Sequence, residues 1–229
     1  TLMTTTKTLP SGVLAQKNNF YALRILGSAC EFTVDELTAV AALSQKFGGG
    51  QVTATSRGTL EINQIPAEKL DAAIAATQAA HLYLGGTGTT VRAVVACKGT
   101  CCRRGLFDVT ALAQELQNAL LGQTVPKKFK IGVFGCMNST GKARSQDFGI
   151  LPSVKELGKF EISLGGMMGK SPALGYTIER TFTREQIFSA VQIVLEKYRA
   201  HGDKGERLRH LFDRQPQVLE EIKQALQAL

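Results

Sequence analysis

The chain has 229 residues, of which 44% are hydrophobic and 20% charged, with only six prolines. That composition excludes a disordered protein and leaves room for one large domain or two halves sharing a core. The net charge is +8, and uncharged apolar runs such as residues 72–80 fall well short of the ~20 residues a membrane span needs, so no membrane anchor is expected.

Residues 1–19 are threonine-rich, with Lys7 and Lys17 as their charges, and lack the apolar centre of a secretory signal. They read as a loose tail, and the protein as cytoplasmic. The apolar run 20–26 predicts a short strand. Thr33-Val-Asp-Glu36 forms a capping box that opens a helix through Leu37, Val40, Leu43 and Phe47, and Gly48-Gly49-Gly50 stops it. Residues 51–65 read as two extended segments around Ser56-Arg57-Gly58, after which Pro66 starts a second helix carrying Leu70 and Ile74. Beyond the loop 85–88, a β-branched strand over 91–96 delivers Cys97, and a helix follows over about 106–121. A further strand over 129–134 ends in Gly135-Cys136, and another over 160–164 runs into Gly165-Gly166. A second capping box, Thr183-Arg-Glu-Gln186, begins a helical C-terminal region whose last helix opens at Pro216.

Four of the five cysteines, Cys97, Cys101, Cys102 and Cys136, lie within 40 residues, while Cys30 stands apart. An odd count without a signal sequence argues against a disulfide framework and toward metal or redox use. Both cysteine sites fall where strands give way to loops, the usual place for ligands in α/β folds. Thiolates from two loops suit an iron-sulfur cluster. Zinc, a redox thiol pair or inert buried cysteines are the alternatives, although the second loop lacks the paired knuckle zinc prefers. Cys30, among apolar neighbours, reads as a small core residue.

The charge shares this segment. Between Gly86 and Gln146 stand nine basic and two acidic residues, seven of the eight net charges. An anionic cofactor or substrate accounts for that better than nucleic acid, given no tryptophan and four tyrosines for base stacking. Gly85-Gly-Thr-Gly88 lacks the third glycine and downstream acid of a dinucleotide site. The run 204–210 reads as a solvated helix face.

Four stretches occur in an order that resembles the siroheme-dependent nitrite and sulfite reductase family, as a single-repeat, low-molecular-weight member. They are Phe20-Tyr-Ala-Leu-Arg24-Ile-Leu-Gly27, Thr53-Ala-Thr55-Ser-Arg57, Val91-Arg92 running to Cys97-Lys-Gly-Thr, and Pro126-Lys127-Lys128-Phe129-Lys130-Ile131 leading to Gly135-Cys136-Met137-Asn138. The resemblance implies an α/β (α+β) fold with a tail at 1–19, a ferredoxin-like half at 20–85, an iron-sulfur and siroheme half at 86–182 and C-terminal helices at 183–229. It implies a [4Fe-4S] cluster beside a siroheme, on whose iron sulfite or nitrite is reduced with electrons from a separate donor protein. A homodimer, or a homologous partner subunit, is also implied; neither nucleic acid nor membrane is.

Residue by residue, the resemblance makes Cys97, Cys102 and Cys136 cluster ligands, with Cys101 the remaining thiol of the first loop. Arg92, Lys128 and Lys130 become substrate-side cations, joined by Arg24. Arg57, Thr55, Asn138, Lys142 and Arg144 fall to the cofactor, whose carboxylates suit arginine and lysine. Lys128 and Lys130, at i and i+2 of a strand, share a face. Where the family's second loop reads Cys-x3-Cys, this chain has Thr140, a poor iron ligand. Either Cys101 substitutes, another group binds that iron, or the cluster is altered with an open iron; such a protein would act in electron transfer or on sulfur compounds.

Overall fold

The computed structural model describes residues 9–139 and 142–229. The chain divides into two units, the first running to Gly27 and from Glu31 to Thr87, the second combining Ser28–Cys30 with Gly88–Leu229.

The first unit is a βαββαβ arrangement with one extra strand. Strand β1 (Val13–Ala15) pairs antiparallel with β2 (Phe20–Leu26). Helix α1 (Val34–Phe47) then leads to β3 (Val52–Ala54) and β4 (Thr59–Pro66), and α2 (Leu70–Ala79) to β5 (Tyr83–Leu84). Strand β2 is central, sharing its other edge with β4, while β5 takes the Ile25–Leu26 end beside β1. The order β5-β2-β4-β3 is that of a ferredoxin-like half. The Thr33 capping box forms as expected, with Glu36 N–H donating to Thr33 Oγ1 at 3.1 Å and Thr33 N–H to Glu36 Oε2 at 2.7 Å. Two readings need correction. The tail contains β1, whose three residues are too short to show a period, and Pro66 closes β4, with Leu70 as the first residue of α2.

The second unit is built on a mixed sheet, β10-β9-β8-β7-β6. Its strands are β6 (Val95–Ala96), β7 (Ile131–Val133), β8 (Phe148–Pro152), β9 (Phe160–Leu164) and β10 (Tyr176–Thr177). The pairs β6–β7 and β7–β8 are parallel, the others antiparallel. Helix α3 (Val109–Leu120) supplies the crossover from β6 to β7, as parallel strands require. It starts three residues later than expected because Asp108 caps it, accepting from Ala111 N–H at 3.1 Å. Helices α4 (Arg184–His201), α5 (Leu208–Arg214) and α6 (Pro216–Gln227) complete one apolar core with the sheet, in which Phe129, Phe148, Phe182 and Tyr198 are fully buried.

The expected strands over 91–96 and 129–134 are shorter than the sequence suggests. Val91 bridges Phe129 in parallel, but the Val95–Gly132 and Ala96–Val133 pairs are displaced by one residue from that register, so regular pairing begins anew at β6. Strand β8, which carries no alternating pattern because all five residues are buried, was not expected at all.

The Thr183 box also forms, with Thr183 N–H donating to Gln186 Oε1 at 2.9 Å. Thr183→Ala is expected to cost the second unit about 1 kcal/mol, read as a lower urea midpoint with an unchanged slope.

Candidate functional site

Parallel strands β6 and β7 end on the same edge of the sheet, and each releases a cysteine loop there. Cys97 follows β6 directly; Cys136 follows β7 by three residues. The loops are joined by short backbone contacts. Leu106 N–H donates to Gly135 O at 2.8 Å, and Gly135 N–H to Cys97 Sγ at 3.2 Å. Three glycines permit that approach: a Cβ on Gly105 would lie 1.9 Å from Gly99 O, and one on Gly135 would lie 3.3 Å from Gly99 Cα and 3.5 Å from Gly105 Cα.

All four thiols are free; Cys97, Cys102 and Cys136 are half-buried and Cys101 is exposed. Among the described residues no three His, Cys, Asp or Glu side chains converge on a single-ion site. A [4Fe-4S] cluster makes a different demand, because each iron takes its own thiolate. Soft donors on two glycine-spaced loops, with a backbone N–H already aimed at one sulfur, fit that group. Cys30 is half-buried rather than simply packed: its Sγ lies 3.5 Å from Val94 O and 3.4 Å from Ala96 N, on the strand leading to Cys97. Thr140, on which the fourth ligand turns, lies outside the described residues.

The cations occupy the amino-terminal approach to the same two strands. Arg92 N–H donates to Phe129 O at 2.8 Å, and Phe129 N–H to Thr90 O at 3.2 Å. Val91 and Phe129 are fully buried; alternation therefore turns Arg92, Lys128 and Lys130 to the opposite face. The lysines share a face as expected, though they lie just before β7. Desolvation holds Lys128 below the ordinary lysine pKa, reinforced by the charges of Arg207, Arg92 and Lys127.

That face is pinned from behind by a buried ion pair. Arg207 Nη2 donates to both carboxylate oxygens of Asp147 at 2.9 Å, and Lys130 N–H donates to Asp147 Oδ2 at 2.9 Å. Asp147 is fully buried and Arg207 only 5% exposed. Burial pushes the Asp147 carboxyl above the usual range, and Arg207 draws it back. Tyr198, whose hydroxyl donates to Glu206 O at 2.5 Å, packs its ring 6.2 Å from that of Phe129; burial raises its pKa. The reading of 204–210 as solvated is thus corrected: Arg207 precedes α5 and turns inward because a fully buried carboxylate waits there. Neither Asp147 nor Arg207 stood out in the sequence.

The other candidates lie elsewhere in their units. Arg24 is the cross-strand partner of Glu61, to which Nε and Nη2 donate at 2.8 and 2.6 Å, and Nη1 donates to Gly86 O at 3.0 Å. Thr55 and Arg57 sit in the β3–β4 turn, closed by a 2.7 Å contact between the Thr55 and Thr59 hydroxyls. In the second unit, Asn138, Lys142 and Arg144 are exposed beside the Cys136 loop.

The model of the nitrite and sulphite reductase 4Fe-4S domain matches residues 87–227, and that of the nitrite/sulfite reductase ferredoxin-like half domain matches residues 14–80. An uncharacterized protein of Methanocaldococcus jannaschii is 34% identical over 142 residues, 62% of this chain and 51% of that protein. An NAD(P)H nitrite reductase of Emericella nidulans is 25% identical over 218 residues, 91% of this chain and 19% of that protein. The chain therefore spans about half the length of the first relative and under a fifth of the second. A dissimilatory sulfite reductase crystal structure shares the fold with a TM-score of 0.79 at 15% identity, over 89% of this chain and 69% of that one. Among the described residues no helix is long and apolar enough to cross a membrane.

Arg207→Met strands the buried Asp147 charge and is expected to cost about 3–5 kcal/mol in chemical denaturation. Gly105→Ala is expected to force the cysteine loops apart and lower iron incorporation on reconstitution, while Gly122→Ala, where a Cβ meets nothing within 4 Å but φ is +78°, is expected to cost about 1 kcal/mol of stability and leave iron content unchanged.

Proposed function

The chain belongs to the nitrite and sulphite reductase family, and from that premise we propose that it reduces sulfite or nitrite at a siroheme coupled to a [4Fe-4S] cluster. The observation that carries this reading is that β6 and β7 bear thiols beyond their carboxyl ends and the cations Arg92, Lys128 and Lys130 before their amino ends. When bound, the two groups supply electrons and an open iron for the oxyanion.

Everything else falls to the chain. Cys97, Cys102 and Cys136 hold the cluster, and Cys101 is the further thiol within the same loop. The Gly135 N–H on Cys97 Sγ disperses charge from that sulfur and favours the reduced cluster. Lys142, Arg144 and Asn138 beside the second loop serve the siroheme carboxylates; for Arg57 and Thr55 as cofactor residues and Arg24 as a substrate-side cation, all in the first unit, the support is the family resemblance. Arg92, Lys128 and Lys130 bind the oxyanion and steady charge on the oxygen that leaves as water. Lys128, its pKa already lowered, gives up a proton more readily than an ordinary lysine.

The sign of the pH dependence follows. Lys128 is cationic at neutral pH and loses its charge below the ordinary value of 10.5. Sulfite affinity is therefore expected to hold through neutrality and to fall on the alkaline side, below 10.5. Lys128→Arg, always charged, is expected to move that limb upward, and Lys128→Gln to remove it with a loss of about tenfold or more in affinity. An unchanged limb in both variants contradicts the role of Lys128. Cys136→Ala is expected to abolish the cluster, measured as iron and acid-labile sulfide per chain.

A further inference from the structure

Where the segments that lead to Arg92 and Lys128 begin, a cavity of about 800 Å³ opens against the end of α4. Its volume falls within the ~300–1,000 Å³ of small-molecule sites. Val125, Pro126 and Gly202 give it an apolar lining, the exposed Thr89 adjoins them, and Arg199 and Lys204 bring two cations to it. Arg92, Lys128 and Lys130 are not among the residues that line it, so it is separate from the proposed reduction site.

Short contacts fix its walls. Val125 N–H donates to Thr89 O at 3.0 Å, and Gly205 N–H to Pro126 O at 2.8 Å. Gly202 approaches Pro126 so closely that a Cβ on it would lie 2.8 Å from Pro126 Cγ. Arg199 is held along one edge, its Nε donating to Thr124 O at 3.0 Å and its Nη2 to Gln123 Oε1 at 2.6 Å. A guanidinium fixed in this way gives up little rotamer freedom on meeting a ligand, and it carries five N–H donors in all.

Among the described residues neither cation has a carboxylate partner. The two acids that flank Lys204, Asp203 and Glu206, both lie against Arg214 Nη2, at 3.3 and 2.7 Å. The cavity thus joins an apolar lining to two positive charges whose neighbouring carboxylates are engaged elsewhere.

The geometry points to a second ligand site here, one that takes an amphipathic organic anion: a carboxylate or sulfonate head between Arg199 and Lys204, and an apolar ring or chain over Val125, Pro126 and Gly202. An inorganic oxyanion has no apolar body to bury against that lining, and a neutral apolar molecule forgoes both cations.

The test titrates the full chain at neutral pH, by calorimetry, with naphthalene-2-sulfonate and with naphthalene-2-sulfonamide, its uncharged counterpart of nearly the same shape. Wild type is compared with Lys204→Glu and with Thr89→Trp, whose larger side chain occupies the cavity. Both positions are exposed, so urea midpoints close to wild type are expected. The expected result is one sulfonate per chain, bound about tenfold or more weakly in Lys204→Glu and lost in Thr89→Trp, with the sulfonamide binding weakly and equally to wild type and Lys204→Glu. Equal affinity of wild type for the two probes overturns the role of the cations. Sulfonate affinity unchanged in both variants puts the probe elsewhere, at Lys128 if sulfite displaces it, and overturns the site. A wild type that takes up neither probe overturns it as well. No arm of the titration needs iron, so the site and the function proposed above fail separately.

Discussion

A carboxylate with no access to water has to be held by charge, and Asp147 is held by Arg207 from the segment ahead of α5 and by the Lys130 N–H from the segment ahead of β7. Three parts of the second unit thereby meet at one side chain: the start of β8, the segment ahead of β7 that carries the lysines, and the approach to the C-terminal helix α5. Removing either charge leaves the other buried and uncompensated, which costs far more than the pair contributes when intact. The aromatic packing of Phe129 against Tyr198 and Phe148 fixes the same strand from the apolar side. Between the ion pair and the rings, Lys128 and Lys130 have one face open to them.

Parallel pairing of β6 with β7 does the rest. Because both strands run the same way, residues that precede them cluster at one end and residues that follow them at the other. Cations gather at the first end and thiols at the second, along two adjacent strands. Glycines at 99, 105 and 135 let the thiol loops come together: a Cβ at 105 would lie 1.9 Å from Gly99 O, Gly99 has a φ of +49°, and a Cβ at 135 would press on Val109 at 3.0 Å. Lys128 sits among the charges of Arg92, Lys127 and Arg207, with Asp147 acting against them, an arrangement that favours a bound anion.

Much of this was legible in the sequence because the signals are local. Capping boxes at Thr33 and Thr183 mark helix starts within four residues, and the cysteine loops are visible as strand ends followed by glycine and cysteine. What was missed depends on distance. Strand β8 has no alternation to read, since its two faces are both buried. Arg207 stands in a charged run that looks solvated, and its partner lies 60 residues away. Asp147 is the first acid after Glu115 and stands between Gln146 and Phe148, with nothing local to announce its partner. The β1 strand is three residues long and exists because β2 offers it an edge.

The most direct test of the central claim is the content of iron, acid-labile sulfide and extractable tetrapyrrole in anaerobically purified protein. The account predicts about five irons, about four sulfides and one tetrapyrrole per chain, four irons belonging to the cluster and one to the siroheme. A chain without acid-labile sulfide or tetrapyrrole, whatever other metal it holds, contradicts it.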